Sequence, residues 1–245
     1  MVGAIPHDGM LTPPPNGGGL VVCGSLPVCG GVASGVRSRR MPVARVEAVV
    51  WDIGRVLVQW DLPRIWRDAI PDPDKRAWFT TNVVTEAWHF RHDEGESMEA
   101  MVAERIAEFP EYAAEIERYR THWLEALPGP VEGTLPLIER LAAREVPQYS
   151  ITNFGADAFA MFRPTFPILD HMRDIVVSGE ERLVKPHRAI FDLAVQRFGH
   201  APETMLFIDD NAANIAAADA LGWQVHHFTD DAAALEADLV ERGLL

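Results

Sequence analysis

Residues 48–60 read Ala-Val-Val-Trp-Asp-Ile-Gly-Arg-Val-Leu-Val-Gln-Trp, and the rest of the chain is interpreted from this stretch. A run of apolar and β-branched residues of this length predicts a strand buried on both faces, as the central strand of a parallel sheet is. Asp52 interrupts the run just before Gly54. Because a carboxylate is costly inside a buried strand, we expect Asp52 at the strand's carboxyl end, where α/β sheets bind ligands.

The composition limits the class of protein. The chain has 245 residues, 48% of them apolar and 24% charged, which suits one large globular domain or a core with a smaller insertion. A net charge of −14 argues against nucleic acid or an anionic membrane surface as a partner, because both require a basic face. No apolar stretch approaches the roughly 20 residues that span a bilayer. The two cysteines, Cys23 and Cys29, precede the expected core, so we predict no disulfide there and a cytoplasmic location.

Residues 1–43 are expected to form a disordered extension. They hold half of the 18 glycines and three consecutive prolines, Pro13 to Pro15, without an amphipathic period. Their arginines follow the apolar patch at 21–28, which is the wrong order for a signal peptide. Met41 directly precedes the globular sequence, and we hypothesise that it is the native start. An intact mass that includes residues 1–40 would reject this hypothesis.

Residues 61–131 carry large apolar side chains at helical spacings, which predicts a small helical bundle that ends at Pro128-Gly129-Pro130. The helices expected there span 63–70, 74–91, 97–109 and 111–127. Strand and helix patterns then alternate, which is typical of a doubly wound parallel α/β sheet with a helical insertion after its first strand. The strands are expected at 148–152, 174–178, 204–209 and 224–228. The helices are expected at 134–144, 156–162, 188–198, 212–221 and 232–242.

Polar side chains lie at four points of this pattern where strands end or helices begin. They are Asp52, Thr152-Asn153, Lys185 and Asp209-Asp210-Asn211. Three carboxylates brought together would repel one another unless a cation lay among them, so Asp52, Asp209 and Asp210 predict a hard divalent ion, for which we expect Mg²⁺. Such an ion screens a substrate phosphate from an attacking carboxylate, and Asp nucleophiles are one known solution to phosphoryl transfer.

A lysine at such a position would be a surface residue in most proteins. Of the 22 basic residues of this chain, however, only Lys75 and Lys185 are lysines. The use of arginine elsewhere therefore favours a functional role for Lys185.

The order of these four sites resembles the four motifs of the haloacid dehalogenase-like (HAD-like) hydrolase superfamily, from about residue 46 to the C terminus. The resemblance implies a Rossmann-like core of residues 44–60 and 132–245 and a helical cap of residues 61–131. It also implies site residues by motif position. The catalytic residues would be the nucleophile Asp52 and Lys185. The metal ligands would be Asp52, Asp209 and Asp210 with the Gly54 carbonyl. The substrate contacts would be Gly54, Arg55, Thr152, Asn153 and Lys185, with Asn211 and Asn214 as supporting residues.

One position departs from the family. Its phosphatases usually have a second Asp, as general acid and base, two places after the nucleophile, where this chain has Gly54. The stretch D-I-G-R-V-L-V is similar to the D-x-G-N-V branch, which includes bacterial sugar-phosphate phosphatases, although Arg55 replaces the Asn. Loss of a positioned acid costs about 10²–10⁴ in rate, so we expect slow turnover or a preference for good leaving groups.

The favoured interpretation is a Mg²⁺-dependent phosphatase acting on a small phosphorylated metabolite. A 2-haloacid dehalogenase-type hydrolase is an alternative, because those relatives also have Asn where this chain has Asn153. They lack the acid pair found here at Asp209 and Asp210, since halide departure needs no metal. A catalytically weak member that binds a phosphorylated ligand is the other alternative.

The predicted insertion contains one cluster of titratable residues, which we expect to be a solvated helix end with local ion pairs. Its members are His89, Arg91, His92, Asp93 and Glu94. In the alternative, one or two of them face the core and contact the substrate. Trp60 and Trp88 are expected to pack between cap and core, and His226-His227 to be structural. Asp210 and Asn211 could also cap the helix that follows them.

Overall fold

The computed structural model describes residues 44–245, which contain a sheet of five parallel strands in the order β3-β2-β1-β4-β5. The strands are β1 (Ala48–Trp51), β2 (Gln148–Thr152), β3 (Ile175–Val177), β4 (Met205–Asp209) and β5 (Gln224–His227). This architecture confirms the predicted Rossmann-like α/β fold class with β1 at the centre. The expected disordered extension and the hypothesis about Met41 lie outside the described residues.

Ten α-helices occur in the described part of the chain. Those before β2 are α1 (Pro73–Asn82), α2 (Glu86–Asp93), α3 (Met98–Glu108), α4 (Ala113–Thr121) and α5 (Thr134–Ala143). Those after β2 are α6 (Ala156–Phe162), α7 (Ser178–Glu181), α8 (Arg188–Phe198), α9 (Ala212–Ala220) and α10 (Ala232–Glu241). Short 3₁₀ helices add Leu62–Trp66, Pro110–Tyr112, Trp123–Ala126, Arg163–Thr165, Pro167–His171 and Pro202–Thr204. Among residues 44–245, no helix combines the length and apolar character that crossing a membrane requires.

The strand pattern of residues 48–60 extends beyond the actual strand, which leaves Asp52 at the strand's carboxyl end as expected. The strand ends at Trp51, and the chain then turns, with the Leu57 and Val58 amides donating to the Ile53 carbonyl at 2.9 and 3.0 Å. Val56, Leu57 and Val58 are nevertheless buried. An apolar run reports burial, and here the side chains are buried by a loop packed on the core instead of by a sheet.

The sheet divides the core into two apolar layers. Successive residues of β1 point to opposite faces, so Val49 and Trp51 join one buried cluster while Ala48 and Val50 join the other. All four β1 residues are fully buried. Burial of both faces explains the continuous apolar run of the central strand.

The segment between β1 and α5 is helical, as predicted, but the helix expected over 74–91 is divided into α1 and α2. The break occurs at Thr85, whose hydroxyl caps α2 by accepting a hydrogen bond from the Trp88 amide at 3.0 Å. The short helix α7 was not predicted from the sequence. The division of the chain into cap and core remains a proposal, because the structure describes residues 44–245 within one compact unit.

Candidate active site

The sheet topology brings Asp52 and Asp209 to the same edge of the sheet. Asp52 directly follows β1, Asp209 ends β4, and the two strands pair with Trp51 opposite Ile208. After β1 the chain goes on to β2 on one side, whereas β4 pairs on the other side. Such a switch point opens a crevice at the carboxyl ends of the strands, where α/β proteins bind ligands.

Asp52 is a nearly buried carboxylate, with 7% of its surface exposed. Its Oδ1 accepts a hydrogen bond from the Ile53 amide at 2.7 Å and lies 2.9 Å from Lys185 Nζ. Burial raises the pKa of Asp52 to about 7 against the opposing effect of Lys185, and the Asp209 carboxylate adds to the rise. A further positive charge near Asp52 would favour its ionised form.

Lys185 lies between two carboxylates in the interior. Its ammonium donates to Asp209 Oδ2 at 2.7 Å and to the Ile151 carbonyl at 2.9 Å, in addition to the contact with Asp52. Burial lowers the pKa of Lys185, but Asp209 and Asp52 outweigh it, so the pKa lies above its usual range. These three partners use all three N–H groups of the ammonium. A substrate contact of Lys185, as predicted, requires the exchange of one of them.

Asp209 is fully buried and its carboxylate is saturated with donors. Besides Lys185, it accepts from Asn214 Nδ2 at 3.0 and 3.1 Å and from the Asn211 amide at 2.8 Å. The Asn211 side chain in turn caps α9 by accepting from the Ala213 amide at 2.8 Å. Asp209 and Asn214 therefore hold Lys185 in place in this arrangement.

Three carboxylates form a cluster that suits a cation. One oxygen from each of Asp52, Asp209 and Asp210 lies within 4.8 Å of the others. Opposite ligands of one Mg²⁺ ion are about 4.2 Å apart, so the donor type and spacing fit such an ion with small adjustments. Lys185 is buried among these acids, and Arg55 Nη1 lies 3.9 Å from Asp210 Oδ2 but is largely exposed. The exposed guanidinium is screened by water, so the cluster keeps an excess of negative charge.

The cluster opens into a cavity of about 290 Å³. Its core side is lined by Asp52, Gly54, Arg55, Asn153, Phe154, Lys185, Asp210, Asn211 and Asn214. Its other side is lined by Trp60, Glu86, His89, Phe90, Asp93, Trp123 and Leu127. Carboxylates thus share the cavity with aromatic walls, and most of the second wall comes from the helical segment.

A family model of haloacid dehalogenase-like hydrolases matches residues 46–222 of the chain. The chain belongs to this family. The match includes every residue of the carboxylate cluster and Lys185.

Solved structures of HAD-like proteins share the fold of this chain. A predicted HAD-like family hydrolase from Porphyromonas gingivalis is 18% identical with a TM-score of 0.63, covering 80% of this chain and 98% of its own. A HAD family enzyme from Bacteroides thetaiotaomicron, in complex with magnesium and inorganic phosphate, is 20% identical with a TM-score of 0.61 and coverages of 76% and 95%. L-2-haloacid dehalogenase from Xanthobacter autotrophicus, with chloropropionic acid covalently bound, is 16% identical with a TM-score of 0.53 and coverages of 82% and 84%.

Two predicted substrate contacts, Thr152 and Asn153, lie at the end of β2. Thr152 is fully buried and does not line the cavity, and its hydroxyl has no hydrogen-bond partner within residues 44–245. Asn153 lines the cavity, but its side-chain amide pairs with the main chain of Lys185. Substrate contact by these residues stays a prediction, whereas a positioning contact of Asn153 is seen directly.

The expectation of a solvated helix end was wrong for three members of the cluster on α2. His89, His92 and Asp93 are 7%, 0% and 7% exposed, whereas Arg91 forms exposed ion pairs. The helix packs its end against the core, since the Asp93 main-chain carbonyl accepts from Ser178 Oγ at 2.7 Å. Burial of three members, instead of the one or two of the alternative, is what the structure shows, and their contact with a substrate stays a prediction.

Glu86 and Trp123 line the cavity but were not predicted from the sequence. A signal for Glu86 was present, because residues 86, 89 and 93 recur at three- and four-residue spacings and share one helix face. Trp60 packs against the helical segment, stacking on His89 with ring centroids 4.8 Å apart.

The paired histidines near the C terminus have contacts typical of structural residues. His226 Nδ1 lies 2.8 Å from Asp238 Oδ2, and His227 Nε2 bonds the Asp210 main-chain oxygen at 2.9 Å. His227 thereby supports the loop that carries the acid pair.

Proposed function

We propose that this HAD-like hydrolase is a Mg²⁺-dependent phosphomonoester hydrolase with Asp52 as its nucleophile. The observation that carries the proposal is the cluster of three carboxylates with ligand atoms within 4.8 Å beside a buried lysine. A site that held only a halide would gain nothing from so much negative charge. The magnesium and phosphate complex of the Bacteroides enzyme supports the same interpretation.

In this proposal Asp52 attacks phosphorus and forms an aspartyl-phosphate, which water then hydrolyses. Lys185, held by Asp209 and Asn153, favours the ionised form of Asp52 and fixes its position, and the positive charge of the bound ion would favour ionisation further. Asp52, Asp210 and the Gly54 carbonyl would hold the ion, with Asp209 acting directly or through water. The ion, when bound, supplies the positive charge that screens the phosphate from the carboxylates.

The substrate in this proposal is a small phosphomonoester, in keeping with a cavity of about 290 Å³. A sugar phosphate is the narrower form of the proposal, which the similarity to the D-x-G-N-V branch suggests. Residues 61–131 would act as a cap that excludes water from the core of residues 44–60 and 132–245. A cytoplasmic location, predicted from the positions of the cysteines, also belongs to the proposal.

A 2-haloacid dehalogenase-type hydrolase is the second candidate. Gly54 favours it, because a departing halide needs no proton and such an enzyme would need no acid at this position. The likeness of fold to the Xanthobacter dehalogenase is compatible with either chemistry.

The test measures phosphate release from p-nitrophenyl phosphate and sugar phosphates and halide release from 2-chloropropionate, each with Mg²⁺ or EDTA. We expect Mg²⁺-dependent phosphate release that Asp52→Asn abolishes. The exposed acid Asp68 provides the matched control Asp68→Asn, which should behave as wild type. Halide release that persists in EDTA, without phosphate release, would establish the second candidate. Full phosphate turnover by Asp52→Asn would reject Asp52 as the nucleophile.

A further inference from the structure

Among the residues of 44–245 that line it, the core side of the cavity has no group suited to protonate a leaving oxygen. Position 54, where family phosphatases usually have an acid, is a glycine. The Lys185 ammonium already uses its N–H groups on Asp52, Asp209 and the Ile151 carbonyl. Asp52 and Asp210 are assigned to the nucleophile and the ion. A proton donor must therefore come from the other wall.

Asp93 is the buried carboxyl on that wall. It lines the same cavity as Asp52 and Lys185, and only 7% of its surface is exposed. The hydrogen bond from Ser178 to its main-chain carbonyl fixes it against the core. Its position is thus set by the folded structure and not by a mobile surface chain.

The surroundings of Asp93 favour its neutral form. Within residues 44–245, no lysine or arginine forms an ion pair with Asp93. The titratable groups near it are His89, Asp52, Glu86, Tyr119 and Lys185, and the Gly155 amide donates to it. Burial raises the pKa of Asp93 to about 8 against the opposing hydrogen bond from the Gly155 amide, with Asp52 and Glu86 adding to the rise and Lys185 opposing it. Although His89 Nε2 lies 3.8 Å from Asp93 Oδ2, burial lowers the pKa of His89 to about 3, so at neutral pH this is not an ion pair. The cavity that Asp52 lines is therefore also lined by a carboxylic acid whose surroundings favour its protonated form.

We propose that Asp93 is the general acid and base of this site, in the role that a second Asp at position 54 would otherwise have. This inference rests on the proposed phosphatase function. In this proposal, burial of the end of α2 against the core serves to place the Asp93 carboxyl in the cavity.

The proton balance closes over the two steps. As Asp52 bonds to phosphorus and the bond to the leaving oxygen breaks, the Asp93 carboxyl gives its proton to that oxygen, and an alcohol departs. The Asp93 carboxylate then takes a proton from water as the water oxygen bonds to phosphorus and the bond to Asp52 breaks. Inorganic phosphate leaves, and both aspartates return to their starting states.

His89 and Tyr119 would position Asp93 and stabilise its carboxylate. Tyr119 OH lies 2.7 Å from His89 Nδ1, and burial raises the pKa of Tyr119 above its usual range, so the phenol keeps its proton. When Tyr119 donates to Nδ1, the imidazole proton lies on Nε2, which faces Asp93. The stacked ring of Trp60 holds the imidazole in this orientation.

The test compares wild type with Asp93→Asn on two aryl phosphates, with Mg²⁺ present. p-Nitrophenyl phosphate has a good leaving group that needs little protonation, whereas phenyl phosphate has a poorer one. For Asp93→Asn we expect a burst of about one p-nitrophenol per enzyme followed by slow turnover, because only the second step lacks its base. On phenyl phosphate we expect no burst and a loss of about 10²–10⁴ in rate. Intact mass should detect the phosphorylated enzyme after the burst.

The controls separate this inference from the proposed function. Glu94→Gln removes the neighbouring exposed acid and should behave as wild type. If wild type releases phosphate but Asp93→Asn equals it on both substrates, or shows no burst on either, Asp93 has no proton-transfer role and the proposed function still stands. If wild type hydrolyses neither substrate, or Asp52→Asn retains activity, the proposed function itself fails.

A separate variant tests the positioning residue. His89→Phe can still stack on Trp60 but cannot donate to Asp93. The Asp93 carboxylate then loses a favourable contact, so the pKa of Asp93 should rise. The alkaline limb of the pH–rate profile for the first step on phenyl phosphate should therefore move to higher pH. A lower rate with an unmoved limb would show that His89 acts only through packing.

Discussion

The side-chain amide of Asn153 forms two hydrogen bonds with the main chain of Lys185. Its Oδ1 accepts from the Lys185 amide at 2.9 Å, and its Nδ2 donates to the Lys185 carbonyl at 3.0 Å. This pairing joins the end of β2 to the loop before α8, so that the Lys185 ammonium reaches Asp52 and Asp209. The contact between Lys185 and the proposed nucleophile Asp52 thus depends on the side-chain amide of Asn153, which hydrogen-bonds to Lys185 and not to Asp52.

Replacement of Asn153 by Ala should loosen the loop that carries Lys185. We expect a loss of about 1–3 kcal/mol in the free energy of unfolding, because buried main-chain groups lose their partners, together with lower kcat. Urea denaturation and phosphate release measure the two effects. Asn82→Ala is the matched control, since its side-chain amide donates to the exposed Trp78 carbonyl at 2.8 Å. Equal behaviour of the two variants would contradict the role assigned to Asn153.

Magnesium should stabilise the folded protein through the carboxylate cluster. An ion present at 100 times its Kd adds about 2.7 kcal/mol to the free energy of unfolding, so Mg²⁺ should raise Tm. Asp210→Asn should reduce this rise, because Asp210 supplies one of the three clustered oxygens. Asp68→Asn should leave it unchanged. A Tm that responds equally in both variants would place the ion elsewhere.

A methyl group at position 155 should force the end of α2 away from the core. The Cβ of an alanine there would lie 1.9 Å from His92 Cδ2, and His92 is fully buried. The backbone at Gly155, with φ of −63°, would accept alanine without strain, so the clash with His92 causes the destabilisation. We expect a loss of about 1–3 kcal/mol in the free energy of unfolding. In a His92→Ala background the same substitution should cost much less. A double-mutant cycle on unfolding free energies measures this, and additive costs would argue against the clash.

The stability contributed by Asp93 should fall as pH rises. Its pKa is raised by burial to about 8 in the folded protein, against an ordinary value near 3.8, so the folded state binds the extra proton between these pH values. Since the unfolded state binds fewer protons there, stability is full below about pH 4 and declines toward pH 8. Asp93→Asn removes this titration, so the free energy of unfolding of the variant should increase relative to that of wild type as pH rises. Denaturation at pH 4.5, 6 and 7.5 measures the difference, which Glu94→Gln should not show.

The sequence alone determined the fold class and most element positions. The strand at 148–152 and the helices at 156–162 and 188–198 coincide with β2, α6 and α8, because the period of apolar residues reports which face is buried. The polar residues at strand ends and helix starts predicted which side chains would meet, since the strands of a parallel sheet end, and the helices that follow them begin, at one edge of the sheet. Asp52, Lys185, Asp209 and Asp210 were found in this way.

Only the tertiary structure decided which polar groups are buried and what they contact. Residues 56–58 are buried in a loop instead of a strand, and the polar end of α2 is buried by its contacts with Ser178 and Gly155. An apolar pattern identifies a buried face but not the element that covers it, and a charged helix end is exposed or buried according to what packs on it. The protonation state of Asp93 depends on that burial, and so does the chemistry that we assign to it.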